Sequence, residues 1–161
     1  MREAKVKERA WTPQAEAFYG WAAGRIAALG VTGRVVDIGC GTGKGTRILH
    51  NAGLDAYGLD NDSDAVGESR SDWKIEAYEH HYERSMRPKF KWEAAVVGNL
   101  IGYYGDPVVL PQDLRRDSRV VLLGGDHPAI TPEWYARHVP GAICDVLDSG
   151  WLVAEVVRDG Q

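Results

Sequence analysis

The run Arg34-Val35-Val36-Asp37-Ile38-Gly39-Cys40-Gly41-Thr42-Gly43-Lys44-Gly45-Thr46-Arg47-Ile48-Leu49 restricts the fold more than any other part of the chain. Its β-branched opening, Val35-Val36 with Ile38, reads as a short buried strand. Apolar residues resume at Ile48 and Leu49, as a helix start, after glycines at 39, 41, 43 and 45. Glycines at this density let backbone approach a ligand closely. A turn from the carboxyl end of a strand into a helix amino terminus also gathers unpaired N–H groups and the positive end of the helix dipole beside that ligand.

Several nucleotide sites share this architecture, and the spacing separates them. A dinucleotide fingerprint G-x-G-x-x-G begun at Gly39 meets Lys44 where glycine or alanine is needed, and begun at Gly41 it meets Thr46. A phosphate loop ending at Gly43-Lys44 would need glycine in place of Ile38 and a hydroxyl residue in place of Gly45. What remains is a hydrophobic pair followed by Asp-x-Gly-x-Gly-x-Gly. This pattern resembles motif I of the class I S-adenosylmethionine-dependent methyltransferases. The resemblance implies that backbone from Gly39 through Cys40 and Gly41 to Gly43 packs on the methionine portion of the cofactor, and that Asp37 helps order its amino group.

At 161 residues and 17.7 kDa the chain is expected to form a single domain, 1–161, with residues 1–11 as a charged arm. The net charge of −4 argues against sequence-independent binding to nucleic acid, which needs a basic surface. Two cysteines, Cys40 in the glycine turn and Cys144 in an apolar run, suggest neither a disulfide framework nor a metal site. No apolar run reaches membrane-spanning length, and the amino terminus lacks a signal core, so a reducing, cytoplasmic setting is the expectation.

Along the chain, Thr12-Pro13 reads as an N-cap with proline at the first helical position, opening a helix that carries Phe18, Trp21, Ala22, Ile26 and Leu29 and stops at Gly30. Its aromatics, with Trp11 and Tyr19, either form part of a lid on the cofactor or pack on the sheet. The helix after the glycine turn runs to about Asn51, with Gly53 as its cap. A second strand, 54–59, ends in Asp60-Asn61-Asp62, 17 residues beyond Gly43. An acid at that edge accepts hydrogen bonds from both ribose hydroxyls. In the resemblance Asp60 is that ribose ligand and Asn61 lines the adenine pocket; Asp62 or Ser63 equally suits as cap of the next helix.

The alternation Trp73-Lys74-Ile75-Glu76-Ala77-Tyr78 reads as a third strand, and Glu79 is the nearest match to the acid that reads the adenine amino group in such enzymes. The pair His80-His81 lacks a third ligand at metal-binding spacing, so no metal is expected. Residues 92–98 form a fourth strand beside the first, where strand order reverses and ligands enter. Asn99 to Tyr104 therefore faces the cofactor sulfonium and the acceptor. Asn99 is a cofactor contact there, and Tyr103 and Tyr104 either orient the acceptor or pack. This loop lacks the Asn/Asp-Pro-Pro-Tyr signature of amino-methylating enzymes acting on DNA and protein glutamine. Pro107 to Arg116 reads as a short helix and 118–125 as a fifth strand. His127 after it is the general-base candidate because its ordinary pKa lies near neutrality, the alternative being a merely exposed loop residue. Thr131-Pro132 opens another helix to about His138. Residues 142–147 and 151–157 read as a hairpin, the last strand running antiparallel; a helix over 142–149 is the alternative.

Together these readings imply a doubly wound α/β fold, with a mostly parallel sheet, helices on both faces and an antiparallel carboxyl-terminal strand. The implied activity is methyl transfer from S-adenosylmethionine, leaving S-adenosylhomocysteine. A non-catalytic module that keeps the cofactor pocket or only the fold is the competing reading. No appended substrate domain is visible, so the acceptor must be held by the arm and first helix, by the loops at 99–106 and 125–130, or by a second subunit of a homodimer. A small molecule is the favoured acceptor, a protein side chain comes next and nucleic acid third.

Overall fold

A computed structural model describes residues 11–80, 92–99 and 118–158. Helix α1 spans Pro13–Ala28 and is followed by β1 (Val35–Ile38), α2 (Lys44–Asn51), β2 (Ala56–Asp60), α3 (Ser63–Asp72) and β3 (Ala77–Glu79). Then come β4 (Ala94–Gly98), β5 (Val120–Gly125), α4 (Pro132–His138), β6 (Ile143–Val146) and β7 (Leu152–Val157). The expected helix over Pro107 to Arg116 and the pair Tyr103 and Tyr104 lie outside the described residues.

The strands form one sheet in the order β3-β2-β1-β4-β5-β7-β6. The first five strands pair in parallel, whereas β7 runs antiparallel to both β5 and β6. The end of the chain is thus the expected hairpin, not a helix. After β1 the chain builds outward through β2 and β3, then returns to β4 on the other side of β1. The strand order reverses at that point, opening a crevice beyond the carboxyl ends of β1 and β4.

Alternation along the strands divides the core in two. Val35, Ala94, Val96, Val120, Leu122 and Val153 face α1 and α2, where Phe18, Ala22, Ile26 and Leu49 are buried against them. Val36, Ile38, Ala95, Val97, Val121 and Leu123 face the other way, in one cluster with Tyr135 and Val139 at α4. Each central strand is buried on both faces, which explains why these segments read as continuous apolar runs instead of alternating ones.

Local chemistry sets the helix boundaries. The Thr12 hydroxyl accepts from Ala15 N at 3.2 Å, ahead of Pro13 in the first turn of α1, and the Thr131 hydroxyl does the same for Trp134 N at 3.1 Å in α4. Thr12→Ala is expected to cost about 1 kcal/mol, the usual value of such a cap, read as a lowered urea midpoint. Asp62 caps α3 by accepting from Asp64 N and Ala65 N. The third strand starts later than its alternation suggests, because Lys74 sits at φ 56 and Ile75 N donates to Ser69 O. The chain is still closing α3 there, and Trp73 lies under the Arg47 guanidinium at 4.2 Å.

Charged pairs fasten the layers. Arg25 of α1 grips Glu155 of β7 through two bonds of 2.6 and 2.9 Å. Glu93 accepts from Thr32 N, Gly33 N and Arg119 Nε, joining the entries to β1, β4 and β5. Among the described residues, no helix is long and apolar enough to cross a membrane.

Candidate functional site

The glycine turn forms the floor of a cleft at the strand reversal. Gly39, Gly41 and Gly43 take φ of 75, 55 and 94, values that side-chain-bearing residues rarely adopt, so the turn depends on glycine at these positions. Gly43 is also the N-cap of α2 and provides no side-chain cap to its first turn. The cleft is lined by residues 39–42, 44 and 45 with Gly98 at the end of β4. Trp11, Ala15, Tyr19 and Trp151 form its remaining wall. Lys44 Nζ stands 5.9 Å from the centre of the Trp11 ring.

Asp60 meets this floor from the end of β2. Its carboxylate accepts from Gly41 N at 2.8 Å and from Asp62 N at 2.9 Å, so it links the glycine turn to the cap of α3. Burial pushes its pKa up against the opposing effect of these two amides. Asn61 beside it is exposed. Glu79, also exposed, lies opposite Asp60 in the parallel register of β2 and β3, which brings the two acids to the same sheet edge.

Asp37 stands differently. It is fully buried, its Oδ1 accepting from the Tyr19 hydroxyl and its Oδ2 from the Thr46 hydroxyl, both at 2.7 Å. Burial raises its pKa to about 7, even though both hydroxyls favour the ionised form and only the Asp60 charge adds to the rise. Asp37 does not line the cleft; Tyr19 does. Cys40 is buried with Val66 and Ala77, and burial holds its thiol well above the usual range, so it packs instead of reacting.

The aromatics of α1 explain a set of glycines that a local reading of the sequence leaves unaccounted for. A Cβ on Gly45 would stand 2.3 Å from the Tyr19 ring, one on Gly98 would stand 3.0 Å from the Tyr19 hydroxyl, and one on Gly124 would stand 2.4 Å from the Phe18 ring. Of the aromatics around the first helix, Tyr19 is buried and borders the cleft together with Trp11.

Asn99 directly follows Gly98 at the end of β4 without lining the cleft, and His127 lies in the loop after β5. Asn99 adopts φ 54, which asparagine tolerates, and its Oδ1 accepts from Asp126 N at 3.1 Å, bracing the end of β4 against the loop after β5. His127 accepts from Ala129 N through Nδ1 at 3.1 Å. It lines a smaller cleft with Gly125, Ile130, Tyr135 and Leu152, on the α4 side of the sheet. Tyr103 is outside the described residues. Among those residues, no group of three or more His, Cys, Asp or Glu side chains is placed to hold a metal ion.

No protein-family model matches the sequence, and no curated protein matches it. Solved structures do share the fold. The plantazolicin methyltransferase BpumL, in complex with a monoazolic desmethylPZN analog and SAH, superposes with a TM-score of 0.72 at 9% identity, over 99% of this chain and 90% of that one. Magnesium protoporphyrin IX methyltransferase from Synechocystis PCC 6803, with bound SAH, gives a TM-score of 0.66 at 14% identity, over 98% and 86% of the two chains. A TehB-like SAM-dependent methyltransferase from Corynebacterium glutamicum gives 0.60 at 17% identity, over 91% and 100%. The chain therefore has the Rossmann-like fold of the class I methyltransferases, and the resemblance carried by Asp37 to Gly43 and Asp60 extends to the whole sheet.

Proposed function

We propose that the chain is an S-adenosylmethionine-dependent methyltransferase acting on a small-molecule acceptor. The observation that carries this reading is the meeting of three positive-φ glycines with the Asp60 carboxylate, 2.8 Å from Gly41 N, at the sheet's reversal point. The donor set fits an adenosyl amino acid. No side chain crowds the space beside Gly41, so a ligand can lie directly on backbone. Asp60, with lone pairs beyond those given to the two amides, accepts from the ribose hydroxyls. Asn61 and Glu79, on the same edge, are assigned to the adenine side, and Gly98 with Asn99 to the methionine side.

Bound there, S-adenosylmethionine supplies a methyl group already activated on a sulfonium. The protein then gains rate mainly by aligning the acceptor and excluding water. Trp11, Tyr19 and Trp151 serve the second purpose by walling the cleft with apolar surface. A base is needed only where the acceptor gives up a proton, and His127 and Tyr103 are the residues we assign to that step. His127 serves it only for an acceptor that reaches over the end of β5, given its place on the α4 side.

A small molecule is favoured because aromatic side chains wall the cleft, and because two fold neighbours are methyltransferases named for plantazolicin and for magnesium protoporphyrin IX. Incubating the protein with methyl-labelled S-adenosylmethionine and separate metabolite, protein and RNA pools tests the assignment. Label is expected in the metabolite fraction. Label in protein or RNA moves the acceptor class, and label in none supports a binding module instead of an enzyme.

A further inference from the structure

Among the described residues that line the cleft, Lys44 alone carries a charge, and none is a His, Asp or Glu. Lys44 is exposed at the start of α2, whose first turn holds no acid, and it forms no ion pair with a described residue. Its ammonium stands instead over the ring of Trp11. Trp151, on the same wall, is only 3% exposed, yet among the described residues its indole N–H meets no acceptor. A buried indole N–H ordinarily has a partner, as that of Trp92 has in Ser118 Oγ at 2.7 Å. The cleft therefore offers a cation, an unused donor and aromatic surface, and its described lining offers no general base.

These properties discriminate between nucleophiles. An amine enters as an ammonium at neutral pH, and an alcohol or phenol keeps its proton, so each must give up a proton in order to take a methyl group. A carboxylic acid, with a pKa of about 4, is already ionised. We propose that the methyl acceptor is an aromatic carboxylate and that the product is its methyl ester. This inference rests on the donor site proposed above. One carboxylate oxygen takes the Trp151 N–H and the charge of Lys44, while the ring packs on Trp11. The other oxygen forms a bond to the methyl carbon as the C–S bond breaks, and that bond's electron pair stays on sulfur. No proton moves. An anion and a sulfonium become an ester and a thioether, both uncharged at the reacting atoms, so a wall that keeps water out favours the step.

The linkage formed on the acceptor tests it. Wild-type protein is incubated with methyl-labelled S-adenosylmethionine and a pool of aromatic acids, alcohols and amines, and the products are treated with mild alkali. A methyl ester releases its label as volatile methanol, whereas methyl ethers and methylamines keep theirs. Volatile label is expected; label only in alkali-stable products, or in none while S-adenosylhomocysteine binds, overturns the inference. Failure of S-adenosylhomocysteine to bind overturns the donor site itself, so the two failures are distinguishable. Calorimetry on the complex with S-adenosylhomocysteine gives a second reading, with benzoate, benzyl alcohol and benzylamine as probes. Benzoate is expected to bind most tightly, and Lys44→Gln to weaken it by about tenfold or more, the worth of a hydrogen bond to a charged group, while S-adenosylhomocysteine keeps its affinity. A Lys44→Gln loss shared by S-adenosylhomocysteine would place the lysine on the donor and overturns the inference, as does equal binding of the three probes. In ¹⁵N-tryptophan protein the Trp151 indole resonance is expected to move when benzoate joins the complex; an unmoved resonance with benzoate bound overturns it as well.

Discussion

Raising the pH from about 4 to about 8 is expected to lower the unfolding free energy of the wild type relative to Asp37→Asn by on the order of 3–4 kcal/mol. The carboxyl of Asp37 sits at about 7 in the folded chain against 3.8 for an ordinary aspartate, chiefly because it is buried. The folded state therefore holds a proton that the unfolded state releases first. Its contribution is complete below the unfolded value and disappears as pH rises through about 7. Glu76 and Glu93 slope the other way, since both carboxyls lie below their ordinary value, Glu76 chiefly through Arg34. Asp60, raised by burial, slopes with Asp37. The comparison with Asp37→Asn cancels these shared contributions. Asparagine keeps the shape and can still pair with the Tyr19 and Thr46 hydroxyls. Urea titrations across this range check the result, and parallel curves for the two proteins would contradict it.

Asp60→Ala carries the second large effect, expected in binding. A ribose held by two hydrogen bonds to a carboxylate loses about 3 kcal/mol or more when that carboxylate is removed, roughly a hundredfold in affinity. The same change leaves Gly41 N and Asp62 N without their acceptor, so it also loosens the glycine turn against α3. S-Adenosylhomocysteine and 5′-methylthioadenosine both carry the ribose, and both are expected to weaken by this amount. Unchanged affinity would show that the ribose lies elsewhere.

The parts of the molecule legible in the sequence are those whose causes are local. Val35 to Leu49 announces strand, turn and helix because the positive-φ positions demand glycine within a few residues of one another. Thr12-Pro13 and Thr131-Pro132 announce helix starts because cap and proline act within one turn. Asp60 is legible at the edge of β2 because the apolar run ends there. The rest depends on contacts distant in sequence. Gly98 and Gly124 look like strand weaknesses until Tyr19 and Phe18, more than seventy residues earlier, are seen to fill their space. Asp37 reads as a ligand-facing acid from its motif alone, and only the fold brings Tyr19 and Thr46 onto its two oxygens. Asn99 and His127 sit at strand ends in the sequence, yet the loop after β5 engages the first and the α4 side of the sheet receives the second. The late start of β3 follows from Lys74, whose positive φ nothing in its side chain advertises.

Titration of S-adenosylmethionine and of S-adenosylhomocysteine into the wild-type protein by calorimetry tests the central claim most directly. Saturable binding of both at micromolar level is the predicted result. The absence of heat with either ligand, together with an unchanged thermal midpoint, would contradict the assignment of the Gly39 to Gly45 cleft as a methyl-donor site.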